Sequence, residues 1–289
     1  MTGASILFRN ALQTVYGQLD WLPVADGAIH RFYVPNDKPG TVNGWYVLYW
    51  DGIASAAFGS WKAGGKSTWN SRDSAEPRSV ERLRQHIEQS RQQRTTAQFS
   101  RHQATAEVAQ RWWVNAPHAD PDHRYLIVKA VRPYGLRQRG DHLLVPLYVS
   151  GQLVNLQRIA LDGSKRFLSG GRISASYSPL GRVAPGRPLY ICEGWATGAT
   201  LHQRGRTVAV AMNAGNLKSV ALLLRAKYPD IEIIIAGDDD RQTRGNPGRA
   251  AAIDAANASG ARVSFPDWPA GSPDHLTDFN DLHTWRAAQ

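Results

Sequence analysis

The chain has a single cysteine, Cys192, and lacks long apolar runs. One thiol excludes a disulfide within the chain and a zinc ribbon built from cysteines, and the apolar residues around it predict a buried, reduced side chain. No apolar run approaches the roughly 20 residues of a membrane-spanning helix. The amino terminus has no basic region followed by a long apolar segment, as a secretory signal would have. We therefore expect a cytoplasmic protein that has no membrane partner.

The basic residues are concentrated in one part of the chain. Residues 1–187 contain 24 Lys and Arg against 13 Asp and Glu, a net charge of +11, whereas residues 188–289 contain 10 against 11, a net charge of −1. With 289 residues, 42% of them hydrophobic, the chain is long enough for two domains. Because excess positive charge indicates a polyanionic partner, we expect the first part to bind the phosphates of a nucleic acid.

A β-branched run followed by three aspartates is the most informative segment. The run at residues 231–236 ends at Gly237, and Asp238, Asp239 and Asp240 follow. Such a run predicts a buried strand of a parallel sheet, and ligands of open α/β sheets bind at the carboxyl ends of these strands. Because successive side chains alternate, Asp238 and Asp240 should point the same way. This pair would suit Mg²⁺, although a solvated acidic turn has the same composition.

A second apolar run ends in a carboxylate earlier in the chain. Residues 189–192 lead directly into Glu193 and Gly194. Strand-like and helix-like segments then alternate up to residue 260, which predicts a mostly parallel sheet with right-handed crossovers. Glu193 would share the carboxyl edge of this sheet with the aspartates, and the three carboxylates would converge on one metal cluster.

These motifs resemble the TOPRIM domain, the fold shared by bacterial-type primases, topoisomerases and certain nucleases. Its signature is Glu-Gly after a first strand and Asp-x-Asp after a later one, here Glu193-Gly194 and Asp238-Asp239-Asp240. Residues 188–284 are similar to primase-like proteins of phages and plasmids, in which Glu-Gly-Trp-Ala-Thr, Asp-Asp-Asp-x, Asn-Pro-Gly-x-Ala-Ala and Asp-Phe-Asn-Asp-Leu recur in this order.

The chain departs from the replicative primases at one position. Those enzymes usually have a further aspartate four residues after the glutamate, and this chain has Thr197 there. Either the metal site has one carboxylate fewer, or Asp278 or Asp281 replaces the missing one. Asp278 also lies where it can cap a short helix, a role that requires no chemistry.

The remaining sequence predicts an α/β protein in four parts. Residues 1–74 form a small antiparallel β-rich region, 75–120 a basic helical segment, 121–187 a β-rich basic subdomain, and 188–289 the TOPRIM catalytic domain, which has a mostly parallel sheet with flanking helices. Residues 63–68, Ala-Gly-Gly-Lys-Ser-Thr, are interpreted as a turn. They are no phosphate loop, because the glycine that this motif requires five positions before Gly65 is Ser60.

Two basic segments of the first half have open interpretations. In residues 29–69, aromatic side chains interleaved with basic ones either fill a small β core or form a stacking platform for a single strand. The aromatic residues are Trp45, Tyr46, Tyr49, Trp50, Phe58 and Trp61, and the basic ones are Arg31, Lys38, Lys62 and Lys66. The arginine-rich helix after them is either a solvated linker or an arm that faces nucleic acid.

The resemblance also implies binding residues on both sides of the carboxylates. In related primases, basic residues of the preceding subdomain face the metal site, which makes Lys129, Lys165 and Arg166 candidates for contacting template or nucleoside triphosphate. The alternative interpretation is that they are ordinary lysine and arginine residues of the protein surface. After the aspartates, Pro247 should open a helix whose amino terminus favours phosphate. The candidates there for holding the triphosphate are Arg244, Asn246 and Arg249.

The resemblance implies a DNA primase-like nucleotidyltransferase that synthesises short RNA primers on single-stranded DNA from ribonucleoside triphosphates. Glu193, Asp238 and Asp240 would be catalytic, and together with Asp278 they would hold Mg²⁺, for which Mn²⁺ could substitute. A replicative helicase is the expected partner. Two alternatives remain: a non-catalytic nucleic-acid-binding TOPRIM module of a replication or transfer system, and a TOPRIM nuclease.

Overall fold

The computed structural model describes residues 2–35, 37, 39–61, 64–71 and 77–289. The chain divides into two compact units, Met1–Ala97 and Gln98–Gln289. Helices and strands alternate over the second unit, which confirms the α/β class. Within the described residues, no helix combines the length and apolar character needed to cross a membrane.

The first unit contains a helix packed on a small antiparallel sheet. Helix α1 spans Thr2–Tyr16. The strands, in sheet order, are β1 (His30–Phe32), β2 (Gly44–Tyr49), β3 (Ser55–Ser60) and β4 (Gly64–Asn70). Phe8 and Leu12 of α1 pack against Tyr46, Leu48 and Phe58 of the sheet. Because small sheets need large side chains to bury apolar area, aromatic residues dominate this core.

The last strand and the aromatic side chains of the first unit differ in part from expectation. The sequence predicts a turn at residues 63–68, but β4 begins at Gly64 and pairs antiparallel with β3. The sequence did not predict this strand, because its glycine and polar residues lack the alternation of apolar and polar side chains that is typical of a half-buried strand. Tyr46, Tyr49 and Phe58 are buried, as the core interpretation requires, whereas Trp50 and Trp61 are 49% and 61% exposed. Lys38 and Lys62 lie outside the described residues.

A long helix and a second antiparallel sheet follow. Helix α2 spans Pro77–Asn115, close to the predicted segment. Helix α3 (Arg124–Val128) then occupies a stretch for which the sequence predicts β structure. Its N-cap is His123, whose Nδ1 accepts from the Tyr125 backbone N–H at 3.2 Å. Histidine is not among the preferred capping residues, so the local pattern contains little that indicates this helix.

The second antiparallel sheet has four strands in chain order. They are β5 (Arg137–Arg139), β6 (His142–Val149), β7 (Gln152–Ile159) and β8 (Lys165–Phe167). β6 and β7 form a hairpin around Gly151. Alternate residues of this sheet enter different cores: Leu143 and Ile159 on one face, Leu144 and Leu156 on the other.

The third sheet is mostly parallel, as predicted. Its strands are β9 (Ser178–Leu180), β10 (Leu189–Cys192), β11 (Thr207–Val210), β12 (Ile233–Ala236) and β13 (Arg262–Ser264), in the order β13-β12-β10-β11-β9. Only β9, at one edge, pairs antiparallel with its neighbour. The helices around it are α4 (Trp195–Gln203), α5 (Ala214–Lys227), α6 (Pro247–Ser259) and α7 (Phe279–Ala287).

The two faces of the parallel sheet belong to different cores. Ile191 and Ile235 pack with Leu217 of α5 on one face. Cys192, a buried free thiol, lies on the other face in a core that also contains Leu143 of the antiparallel sheet. Residues on both sides of the boundary expected at 187/188 therefore share one hydrophobic core. The division into 1–74, 75–120, 121–187 and 188–289 stays a prediction.

Candidate active site

The acidic residues begin at neighbouring strand ends. β10 and β12 pair in parallel, and their last partners are Cys192 and Ala236. Glu193 and the segment that starts at Gly237 therefore leave the sheet at the same edge. Burial raises the pKa of Glu193, and the negative charge of Asp240 raises it further. The Ala214 backbone N–H at the start of α5 acts in the opposite direction.

Asp238 is a strongly perturbed carboxyl of this group. Burial, followed by the charges of Asp278, Glu193 and Asp240, raises its pKa to about 8. Its Oδ1 atom is buried and has no hydrogen-bond partner among the described residues. A carboxylate in such surroundings is stabilised by a proton or by a cation.

Asp239 is turned away from this group, as the alternation of side chains predicts. Its Oδ1 accepts from Asn246 Nδ2 at 2.7 Å and its Oδ2 accepts from Trp268 Nε1 at 3.2 Å. Arg249 Nη1 lies 3.5 Å from Oδ1, and the Arg249 guanidinium stacks 4.1 Å from the centre of the Phe265 ring. Asp239 therefore organises the loop and holds Arg249.

Asp240 is fixed by the first turn of α6. Its Oδ2 accepts from the Gly248 backbone N–H at 2.8 Å, and its own N–H donates to Asn246 Oδ1 at 2.8 Å. Asn246 caps α6 in a left-handed conformation and accepts from the Arg249 N–H at 3.3 Å. The amide of Asn246 and the start of α6 are thus engaged in holding Asp239 and Asp240, rather than open to a phosphate. Arg244 is exposed in the loop before α6.

Asp278 joins the acidic group from the opposite end of the domain sequence. It is the N-cap of α7, where Oδ1 accepts from the Asp281 N–H at 2.8 Å. Burial raises the pKa of Asp278, and Asp281 adds to this, whereas Lys129 and the Thr197 side chain lower it. Thr197 itself is fully buried. Asp278 therefore lies beside the position at which replicative primases carry their additional aspartate.

Lys129 is held in place by the motif around Asp278. Its Nζ lies 3.2 Å from Asp281 Oδ1, and its carbonyl accepts from Asn280 Nδ2 at 2.7 Å. Asn280 is fully buried and also donates to Thr200 Oγ1 of α4 at 2.9 Å. Asp281 is accordingly the partner of Lys129. The positioning role of Asn280 was not predicted, although its place in the Asp-Phe-Asn-Asp motif was the available signal.

Lys165 and Arg166 lie on different faces of their strand. Much of Lys165 is exposed, but protein atoms crowd its ammonium group, and this lowers its pKa. The charges of Asp278, Asp238 and Glu193 act in the opposite direction, which places Lys165 opposite the carboxylates. Arg166 follows on β8 and pairs directly with Arg158 of β7, so it points to the face turned away from them.

Tyr125 borders the site and was missed in the sequence. It is buried, and its hydroxyl has no hydrogen-bond partner within the described residues. Burial raises the pKa of this hydroxyl, and the charge of Asp278 raises it further. The Lys165 Nζ lies 6.0 Å from the centre of the Tyr125 ring. A pocket of about 450 Å³ adjoins them, lined by Arg124, Tyr125, Val128, Lys129, Leu161, Asp162, Gly163 and Lys165.

The carboxylates suit a hard divalent cation in their chemistry. Asp238 has an orphaned buried oxygen, and Glu193, Asp240 and Asp278 repel it. In the described part of the chain, no group of three or more His, Cys, Asp or Glu side chains is arranged to hold a metal ion. Mg²⁺ is commonly held by one or two carboxylates together with waters and substrate phosphates, so a complete protein cage is not required.

A match to a known family identifies the domain that contains these carboxylates. Residues 188–288 match the family described as Toprim domain. This part of the chain is a TOPRIM domain. TOPRIM domains generally bind divalent metal ions. The resemblance that rests on Glu193-Gly194 and Asp238-Asp239-Asp240 is thereby confirmed.

Two curated relatives extend the similarity into the first half of the chain. A DNA primase TraC of Escherichia coli is 32% identical over 263 residues, which are 86% of this chain and 25% of that protein. A second DNA primase TraC of Escherichia coli is 32% identical over 276 residues, 87% of this chain and 19% of that protein. The chain therefore spans a quarter or less of the length of these relatives. The region of similarity to these proteins includes residues outside the TOPRIM domain.

Proposed function

We propose that this chain is a DNA primase module that synthesises short RNA on a single-stranded DNA template from ribonucleoside triphosphates. The observation that carries the proposal is that Glu193 and the Asp238–Asp240 segment follow the carboxyl ends of the paired strands β10 and β12, where Asp238 has a buried oxygen without a partner among the described residues. Asp278 adds a carboxylate to this group, and Lys165 lies opposite it. The pKa values of three of these carboxyl groups are raised, and Asp240 lies beside them. Together with Lys165, they form a site that is suited to cation-assisted phosphate chemistry.

A divalent ion is the cofactor that this donor set fits best, and we propose Mg²⁺, with Mn²⁺ as a substitute. Asp238 and Asp240, together with Glu193 and Asp278, would hold it. When bound, the ion would neutralise charge on the triphosphate as a primer 3′-hydroxyl attacks the α-phosphate and pyrophosphate leaves.

Three side chains would handle proton transfer and charge stabilisation. Burial and the charge of Asp240 raise the pKa of Glu193, so this carboxylate binds a proton more readily than an ordinary glutamate. It is therefore suited to accept the proton of the attacking 3′-hydroxyl. Lys165 places a positive charge opposite the carboxylates, where it can stabilise charge on a phosphate. Lys129, oriented by Asp281 and Asn280, supplies a second ammonium group beside it.

The test is template-dependent incorporation of labelled ribonucleotides on single-stranded DNA with Mg²⁺ or Mn²⁺. We expect synthesis by the unmodified chain and a loss of about 100-fold or more in Asp238→Asn. Asp254→Asn is the matched control, because Asp254 is an exposed aspartate of α6 that pairs with Lys218. DNA binding without incorporation would select the non-catalytic module. Degradation of labelled DNA without added nucleotides would select the nuclease. A replicative helicase remains the proposed partner.

A further inference from the structure

The antiparallel sheet β5–β8 has a second basic face. Strand register places Arg137, Leu144, Arg158 and Arg166 in one row across its four strands. Residues directly opposite each other on neighbouring strands point to the same face, and their chain neighbours point to the other. The neighbouring row contains Lys165, Ile159 and Leu143, of which Leu143 and Ile159 enter the core shared with the TOPRIM sheet. The arginine row therefore lies on the face away from the carboxylates.

The carboxyl-terminal part of α2 covers the middle of this face with a tryptophan. Ala109 and Trp112 pack against Leu144 and Leu156. The Arg139 guanidinium lies 4.0 Å from the centre of the Trp112 ring, and that of Arg158 lies 5.9 Å from the same ring. These residues form an aromatic and guanidinium stack on this face of the sheet.

Arg137 has a different role from the other arginines. Its Nη1 donates to the carbonyl groups of Trp113, Val114 and Ala116 at 2.6, 3.0 and 2.9 Å. These carbonyls belong to the end of α2 and the residues after it, which have no partner within the helix. Arg137 therefore terminates α2 and helps to fix Trp112 over the sheet, so it is not available to a ligand.

The remaining arginines are free to contact an anion. Arg111, Arg139 and Arg166 are exposed, and none of them forms an ion pair with a carboxylate within the described residues. Arg158 is half-buried, and its Nε has no hydrogen-bond partner among the residues described. A groove of about 480 Å³ lies beside the stack, and its lining includes Arg111, Trp112, Arg139 and one carboxylate, Asp120.

We propose that this surface, the Trp112 face (Arg111, Trp112, Arg139, Arg158 and Arg166), binds single-stranded nucleic acid. Interleaved aromatic and basic groups recognise single strands, since bases stack on the rings and guanidinium planes and phosphates contact the charges. The net charge of +11 on residues 1–187 complements a polyanion. Binding here needs neither metal nor nucleotide, so the site goes beyond the proposed catalysis and does not depend on it.

The experiment measures binding of labelled oligothymidylate and oligouridylate by fluorescence anisotropy, with the full chain in EDTA and at several salt concentrations. The double variant Arg139→Glu/Arg166→Glu should bind both strands roughly tenfold more weakly, and the slope of log affinity against log salt should fall by about 0.7 for each phosphate that is no longer neutralised. Arg182→Glu/Arg187→Glu is the control, because it changes two exposed arginines elsewhere in the second unit by the same charge. The strand whose affinity falls more identifies template DNA or RNA product as the occupant.

A second comparison separates stacking from charge and avoids disturbing the core around Trp112. Arg139→Lys keeps the charge but removes the plane that stacks, so it should weaken binding, whereas Arg166→Lys should not. Asp254→Asn, which changes an exposed aspartate of α6, should bind single strands like the unmodified chain. The proposal is overturned if Arg139→Glu/Arg166→Glu binds normally, or if the control pair weakens binding equally. It is also overturned if the double variant loses affinity for polyglutamate but not for oligonucleotides, which would assign an acidic protein partner.

Discussion

The Gly248 backbone N–H donates to Asp240 Oδ2 at 2.8 Å, and the space around Gly248 leaves no room for a side chain. A Cβ atom there would lie 2.8 Å from Asp240 Oδ2, 3.0 Å from Asp238 Cβ and 3.1 Å from the Asp238 carbonyl oxygen. The first turn of α6 and the acidic loop are therefore fitted to each other. This explains why a glycine follows Pro247 in the motif.

We expect Gly248→Ala to displace Asp238 and Asp240, because two of its three close contacts are to backbone or Cβ atoms that cannot swing aside. A displacement of about 1 Å at a reacting centre can reduce the rate 100-fold, so nucleotide incorporation should fall by about tenfold or more. The matched control is Gly215→Ala at the start of α5, where a Cβ meets only Asn213 Oδ1 at an ordinary 3.4 Å. Equal activity of the two variants would show that the fit at Gly248 is unimportant.

The raised pKa of Asp238 predicts a pH-dependent stability of the metal-free protein. Between about pH 4 and pH 8 the folded chain retains a proton on Asp238 that the unfolded chain has lost. The free energy of unfolding should therefore decrease as pH rises through this window. In Asp238→Asn the decrease should be smaller, and the melting temperature near pH 8 should be several degrees higher than that of the unmodified chain.

The measurement is calorimetry in EDTA across this pH range, with Asp254→Asn as the exposed control. Mg²⁺ should then raise the melting temperature of the unmodified chain and have much less effect on Asp238→Asn. An Asp238→Asn protein that is less stable than the unmodified chain at every pH would contradict the buried, repelled carboxylate described here.

We expect Asp278 to supply the carboxylate that replicative primases usually have at the position of Thr197. Asp278→Asn removes the charge but keeps the ability to cap α7, so folding should survive and incorporation should fall by about tenfold or more. Adding Thr197→Asp should restore part of that activity, because it returns one carboxylate to the same place. Thr197→Asp alone should destabilise the fold, since it buries an additional charge beside Asp278. Additive losses in the double variant would exclude the replacement.

We expect substitutions of the adjacent residues Lys165 and Arg166 to have different effects on nucleotide incorporation. Lys165→Ala removes the ammonium group opposite the carboxylates, so it should reduce incorporation even at saturating template. Arg166→Ala should leave incorporation at saturating template nearly unchanged. Steady-state kinetics with varied ribonucleotide and template concentrations distinguish the two effects. A larger catalytic loss in Arg166→Ala would contradict the assignment of faces.

The sequence was sufficient for the parts of the site that local patterns determine. The strands before Glu193 and Asp238, the outward turn of Asp239 and the capping of α7 follow from alternation, burial and capping chemistry. The face on which Arg166 lies could not be predicted, because it depends on where β8 starts and on its register with β7. The proximity of Thr197 and Asp278 and the burial of Tyr125 depend on tertiary packing between segments distant in the chain.

The central claim is that Glu193, Asp238 and Asp240 act on one shared divalent ion. Titration of Mn²⁺ into the chain, followed by electron paramagnetic resonance with Mg²⁺ as competitor, tests it most directly. We expect saturable Mn²⁺ binding that is competed by Mg²⁺ and is unchanged in Asp254→Asn. In Glu193→Gln and in Asp238→Asn the affinity for Mn²⁺ should fall by about tenfold or more. Mn²⁺ binding of unchanged affinity in Glu193→Gln and Asp238→Asn would contradict it.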